Sequence, residues 1–210
     1  NGKRFLLAAI GVASLLMQKQ PARHRQVLFT ANSSQQAHLA FDIMSDQLEN
    51  LRRSSNYLRR RVKINKQRVT DKETGSFAVP LSTDTHSTDG YNPTLGVVDE
   101  YHQAKDDTIL NALKSGMIQQ DNGILAIIST AGFNLNSPFK KEWDYASDIL
   151  KRKYINDRYF AVMYCLDNKD EVMNQDMWIK ANPLMSNPKI ARTMKEQIQN
   201  DLDVAVKQSN

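Results

Sequence analysis

Two carboxylates stand side by side at Asp99 and Glu100, directly after the apolar run Leu95–Val98, in the stretch LGVVDEYHQAKDD. Carboxylates that close repel each other and resist losing water, so a fold that sets them at the end of a buried strand usually has a cation to hold or a proton to move. The plainer reading is the acidic start of a helix, where negative charge is favoured. A second group opens the chain, where NGKR (Asn1–Arg4) runs into an apolar segment. A phosphate-binding loop of the form G-x-x-x-x-G-K-[ST] ends this way, with backbone N–H groups and a lysine holding phosphates at a helix N-terminus. Only its second half can be checked: the first Gly is expected five residues before Gly2, upstream of Asn1, so the chain is expected to be a fragment, and Arg4 stands at the Ser/Thr position.

A strand that runs into Asp-Glu is the metal-and-base half of many P-loop ATPases. There the Asp holds Mg²⁺ through its water shell, and the Glu polarises the water that attacks the γ-phosphate. A third segment, IISTAG (Ile127–Gly132), is an apolar strand ending in small hydroxyl residues and Gly, suited to sensing a terminal phosphate or to a tight turn. The three groups follow one another in the order an ATPase needs.

The elements that must position these groups can be read from periodicity. Phe5–Gln18 is apolar nearly all round, as for a helix buried against a sheet. RQVLFTA (Arg25–Ala31) predicts a buried strand. Ser33 and Gln36 fit a capping box, and Ala37, Ala40, Met44, Leu48 and Leu51 keep one face of a long helix that starts near Ser34. Alternation between Arg61 and Leu81, with Asp71–Gly75 as a turn, predicts short antiparallel strands. A polar loop (STDTHSTDGYNPT) precedes the strand Leu95–Val98. A helix over Thr108–Met117, a strand over Gly123–Thr130, a helix over Phe139–Arg152, a strand over Arg158–Leu166 and a polar amphipathic helix over Pro188–Lys207 complete the chain. Buried, non-alternating strands separated by helices imply an α/β fold with a mostly parallel sheet covered on both faces, in which ligands bind beyond the carboxyl ends of the strands.

The 210 residues, 40% hydrophobic and 24% charged, have ordinary globular composition. A net charge of +5 permits a polyanionic partner without demanding one. Its distribution is more informative: Leu51–Thr70 holds eight basic residues and no acid. This stretch, centred on Arg59, Arg60, Arg61 and Lys63, suits a DNA backbone or, equally, a solvated helix end; one of its arginines could instead serve a neighbouring subunit. A single cysteine, Cys165, excludes an internal disulfide framework and is expected to pack inside a strand. The apolar run Phe5–Met17 falls short of the about 20 residues that span a bilayer.

The segments NGKRFLLAAIG, TANSSQQAHLAFD, STDGYNPTLGVVDEYHQAKDD, ISTAGFN and WIKANP, spread from Asn1 to Pro183, together resemble the ATPase domain of the large terminase subunit of tailed phages, the motor that packages viral DNA. The resemblance implies a P-loop NTPase of the ASCE type, a three-layer sandwich over residues 1–183. A helical linker over 184–210 would lead toward a nuclease domain beginning beyond Asn210. It implies nucleotide binding by Gly2, Lys3 and Arg4, magnesium on Asp99, Glu100 as catalytic base, and a coupling segment at Ser129, Thr130, Ala131 and Gly132. ATP and Mg²⁺ are the implied cofactors. Double-stranded DNA, the small terminase subunit, the portal protein, further copies of the chain in a ring and the nuclease domain are the implied partners, with no membrane, in the host bacterial cytoplasm at the procapsid portal.

One departure matters. A guanidinium offers donors only and cannot ligate Mg²⁺, so Arg4 is expected to weaken metal binding, and Arg4→Ser to raise nucleotide affinity in the presence of Mg²⁺. The acids Asp167, Asp170 and Glu171 fall in a polar turn and read as solvated rather than as a nuclease site. Two alternatives stand beside the motor. DEYH also fits the D-E-x-H box of a helicase lobe, and a degenerate nucleotide fold could serve as a DNA-binding module without turnover.

Overall fold

The computed structural model describes residues 2–82, 90–132 and 134–208. Most of the polar loop before Leu95, and Phe133 of the ISTAGFN segment, lie outside the described residues. The chain divides into two compact units, Asn1–Asp144 and Tyr145–Asn210.

The first unit is built on one sheet. Its strands are β1 (Gln26–Ala31), β2 (Val62–Asn65), β3 (Arg68–Asp71), β4 (Ser76–Ser82), β5 (Leu95–Asp99) and β6 (Ile124–Ile128), in the order β2-β3-β4-β1-β5-β6. β4, β1, β5 and β6 run parallel, and β2 and β3 add an antiparallel ribbon at one edge. Helices α1 (Gly2–Met17) and α2 (Ser34–Ser54) bury Leu7, Leu15, Phe41, Met44 and Leu48 against Val27, Phe29, Leu95 and Val97. The alternate residues Leu28, Val79 and Val98 point to the other face, where Tyr101 and α4 (Thr108–Gly116) cover them through Ile109, Leu110 and Leu113. The result is the expected three-layer sandwich with a mostly parallel sheet. Among the described residues no helix is long and apolar enough to cross a membrane.

Two helices differ in detail from the sequence reading. Only one stripe of α1 reaches the sheet, and Phe5, Leu6 and Met17 are exposed, because a helix lying on a single sheet face covers only part of its circumference. Ser33 caps α2 by accepting from the Gln36 N–H at 3.2 Å, as expected. The reciprocal half of the box is missing, since the Gln36 amide donates instead to Gln103 Oε1 at 2.8 Å, tying α2 to the turn beyond β5. The basic end of the helix breaks at Ser55, whose hydroxyl caps the short α3 (Asn56–Arg61).

Where α1 packs most tightly, at Gly11, an added Cβ would lie 2.8 Å from Phe29 Cζ and 3.1 Å from Met44 Sδ. Alanine gains about 1 kcal/mol of helix preference, but overpacking a buried site costs about 1–3 kcal/mol. We expect Gly11→Ala to lower the urea midpoint; an unchanged or raised midpoint would show that the ring and thioether yield freely.

A buried ion network closes the end of the sheet away from Asp99. Asp71 is fully buried and accepts from Arg61 Nε at 2.8 Å and Nη2 at 2.7 Å, from the Thr74 hydroxyl at 2.7 Å and from the Glu73 N–H at 3.1 Å. Arg25 Nη2 lies 3.6 Å from the same carboxylate. The rest of the Arg25 guanidinium donates to the carbonyls of Leu15, Gln18 and Ala22, so it caps the carboxyl end of α1, where backbone acceptors have no helical partner. Burial pushes the Asp71 carboxyl up, but the bonds from Arg61, Thr74 and the Glu73 N–H outweigh it and hold it below its ordinary range. A carboxyl so depressed contributes stability that is complete above the unfolded pKa, about 3.9, and is lost as pH falls through the lower folded value. We therefore expect the urea midpoint to fall on acidification below about pH 4, and this acid-side fall to be shallower in Asp71→Asn. Equal slopes would contradict the assignment.

In the second unit, α5 (Pro138–Leu150), which begins in the first, leads into an irregular stretch and then α6 (Pro188–Gln208). Trp178 is buried and donates from Nε1 to the Val172 carbonyl at 2.8 Å. Lys180 Nζ stands 2.6 Å from both Asp167 and Glu171, so these two acids serve a local ion cluster. The strand expected over Arg158–Leu166 is not formed: the segment belongs to no β-ladder among the described residues, Phe160, Val162 and Tyr164 are exposed, and Cys165 is exposed rather than packed inside. Alternation makes one side of a strand apolar, but a strand needs a neighbour to satisfy its backbone, and this unit contains none among its described residues.

Candidate functional site

Parallel register fixes the centre of the site. β5 ends at Asp99, which pairs with Ile128, so Ser129 and Thr130 leave β6 beside the residues that follow Asp99. Asp99 is buried. Glu100 adopts a left-handed conformation (φ 51°, ψ 46°), which turns the chain out of the strand into a single 3₁₀ turn over Tyr101–Gln103. A non-glycine residue in this region costs on the order of 1–3 kcal/mol and is kept where the surroundings hold it. Here Tyr101 anchors the turn: its buried ring meets Phe139 edge-on at 6.4 Å, and its hydroxyl donates to Asp107 Oδ1 at 2.7 Å. Burial, reinforced by that bond, pushes the phenol well above its ordinary value.

The first turn of α1 meets the acid pair. Lys3 Nζ lies 3.0 Å from Glu100 Oε1. Arg4 spans both carboxylates, with Nε on Asp99 Oδ2 and Nη2 2.8 Å from Glu100 Oε1. Residues 96 positions apart in sequence thus share one electroneutral cluster of two cations and two anions. Among the described residues, Asp99 Oδ1 is buried with no hydrogen-bond partner, and Lys3 Nζ is buried with the ion pair as its only contact of this kind. Gly2 has open space around it.

The segment after β6 joins the same cluster through His102. The His102 N–H donates to Ser129 Oγ at 3.0 Å, and Nδ1 stands 3.0 Å from that oxygen, 3.4 Å from Glu100 Oε2 and 3.4 Å from Thr130 Oγ1. Thr130 Oγ1 is itself 3.5 Å from Glu100 Oε2. A Cβ on Gly132 would come within 2.9 Å of His102 Cβ, so the chain passes this ring closely, whereas Ala131 faces solvent. His102, two residues after Glu100 in sequence, therefore lies within reach of both Glu100 and the segment after β6.

The basic stretch is not brought to this cluster. It runs from the end of α2 through α3 and β2 into β3, and β2 is four strands from β5, about 20 Å at ordinary strand spacing. Arg59, Arg60 and Lys63 are exposed, but Arg61 is turned inward onto Asp71, and its guanidinium is raised further above its usual pKa by that bond. Arg61 is therefore removed from the surface group expected to meet DNA.

A triphosphate fits the arrangement: two cations stand in the first turn of α1, where free N–H groups and the helix dipole favour anions. A directly ligated magnesium ion does not. Arg4 brings no hydroxyl and occupies Asp99 Oδ2 and Glu100 Oε1, and among the described residues no cluster of three metal-ligating side chains exists.

Comparison with known proteins bears on the family and the fold. The family model of the terminase large subunit ATPase domain matches residues 1–148, and that of the terminase large subunit endonuclease domain matches 153–210. The large terminase subunit of Lactococcus phage SK1 is 27% identical over 202 residues, covering 93% of this chain and 36% of the relative. Protein YmfN of Escherichia coli K12 is 30% identical over 95 residues, 45% of this chain and 21% of YmfN. The chain thus spans well under half of the curated relatives it matches. Among solved structures, the large terminase of bacteriophage HK97 superposes with a TM-score of 0.77 at 22% identity, over 96% of this chain and 41% of that one. The ATPase domain of the Thermus phage P74-26 large terminase gives 0.51 at 16% identity, over 74% of this chain and 80% of that one. With the first of these profiles covering most of its length, the chain belongs to the terminase large subunit ATPase domain family.

Proposed function

We propose that this chain is the ATP-hydrolysing part of a phage DNA-packaging motor. The observation that carries the reading is the meeting of Lys3 and Arg4, in the first turn of α1, with Asp99 and Glu100 at the end of β5. A triphosphate entering at the amino end of α1 would be held by Lys3 and by backbone N–H groups. Glu100 then takes a proton from water as its oxygen attacks the γ-phosphorus, while the bond from that phosphorus to the β,γ-bridging oxygen breaks. His102 and Thr130, both within 3.5 Å of Glu100 Oε2, would orient the carboxylate and let Ser129–Gly132 respond to its state. Any magnesium would come with the nucleotide, and among the described residues of the site Asp99 Oδ1 is the carboxylate oxygen without a partner that could meet its water shell.

Double-stranded DNA, the small terminase subunit, the portal protein, a ring of further copies and the rest of the nuclease domain, whose family model already matches 153–210, are the partners this function requires, and the procapsid portal in the host cytoplasm is where it would act. Arg59, Arg60 and Lys63 are proposed to follow the DNA backbone. A second reading, a nucleotide-fold DNA-binding module without turnover, has one observation in its favour, the Arg4 guanidinium lying across the acid pair. Phosphate release from ATP by the purified chain, with and without linear double-stranded DNA, separates the two. Turnover that rises with DNA supports the motor, whereas DNA binding without phosphate release contradicts it.

A further inference from the structure

The mismatch between Arg4 and a metal site has a consequence for nucleotide binding. The Asp99 and Glu100 side chains are 1% and 12% exposed, and the guanidinium that joins them is 23% exposed. With Lys3 beside it, the cluster is already neutral, so a divalent cation placed there would leave an uncompensated excess of positive charge in a largely buried site. An incoming triphosphate reverses that balance. It adds several negative charges next to two cations, and the planar guanidinium matches phosphate oxygens two at a time, as it matches carboxylates.

We propose that Arg4 does the work that a hydroxyl and a divalent cation share in phosphate loops ending in Ser or Thr. In the resting chain it holds the acid pair. When nucleotide enters, the Nη2 edge of Arg4 turns from Glu100 to the triphosphate oxygens while Nε stays on Asp99, which offsets part of their charge and frees Glu100, so ATP binding by this chain does not depend on a divalent metal. The proposal rests on the nucleotide reading of Lys3 given above.

The test is anisotropy of fluorescently labelled ATP titrated with the full chain, once in EDTA and once in Mg²⁺, for the native protein, Arg4→Ser and Arg4→Lys, with thermal melts to confirm folding. The native chain is expected to bind within about threefold equally under both conditions. Arg4→Ser should bind roughly tenfold or more weakly in EDTA, the usual loss for a charge-assisted pair. In Mg²⁺ it should bind at least as tightly as the native chain, and Arg4→Lys, which keeps the charge but not the fork, should fall between. Native binding that needs Mg²⁺, or Arg4→Ser binding unchanged in EDTA, overturns this proposal and leaves the nucleotide reading standing. No ATP uptake by the native chain in either buffer overturns both.

Discussion

Glu100→Gln is expected to keep nucleotide binding and to lower kcat by about 10²–10⁴-fold, the range that a positioned general base supplies. The amide has the size and shape of the carboxylate but cannot take a proton from the attacking water. It also loses the attraction of Lys3, 3.0 Å away, and of Arg4 Nη2, 2.8 Å away, while Asp99 keeps its own bond to Arg4. The two cations are then more available to phosphate, so KM should hold or fall while kcat drops. That split distinguishes a lost base from a damaged fold, which would weaken both and lower the thermal midpoint. A kcat within a few-fold of native would remove Glu100 from the chemistry.

The second large effect is structural and lies at the other end of the sheet. Removing the charge of Asp71 leaves Arg25, whose side chain is 3% exposed, and Arg61, 15% exposed, facing an interior without their anion. Breaking a buried pair on one side typically costs about 3–5 kcal/mol, a large share of the about 5–15 kcal/mol that holds a domain together. We expect Asp71→Asn to lose stability in that range by urea unfolding at neutral pH, and the loss to shrink in a background where Arg61 is replaced by Met, because the two residues share one network. A loss below about 1 kcal/mol would mean that Glu73, whose Oε2 lies 3.3 Å from Arg61 Nε, takes over the role.

The residues that could be read in the sequence were those whose meaning is local. The apolar runs ending at Ala31 and Asp99 announce buried parallel strands because both faces of such strands are covered. The Ser33 cap and the spacing of Ala37, Ala40, Met44 and Leu48 announce α2. The meeting of Lys3 with Glu100 was legible because each stands at a fixed offset from an element boundary.

What could not be read depends on partners distant in the chain. Arg25 looked like the first residue of a strand and Asp71 like a turn residue, yet together they seal the carboxyl end of α1. His102, two positions after Glu100, could in sequence equally hold the base or lie on a surface helix, and only the register of β5 and β6 sets Ser129 against it. Arg61 looked like one of a run of exposed cations, and only the antiparallel ribbon, which pairs Val62 with Asp71, turns it inward. The segment Arg158–Leu166 carries a strand's alternation, but alternation specifies a face and not a neighbour.

Everything proposed for the site requires a nucleoside triphosphate to sit at the amino end of α1 against the Lys3 amine. Isothermal titration of the native chain and of Lys3→Ala with a non-hydrolysable ATP analogue measures this directly. The native chain should release heat with saturable binding and Lys3→Ala should bind at least tenfold more weakly, as loss of a charge-assisted phosphate contact implies. Equal affinity in the two proteins, with both folded, would contradict the account.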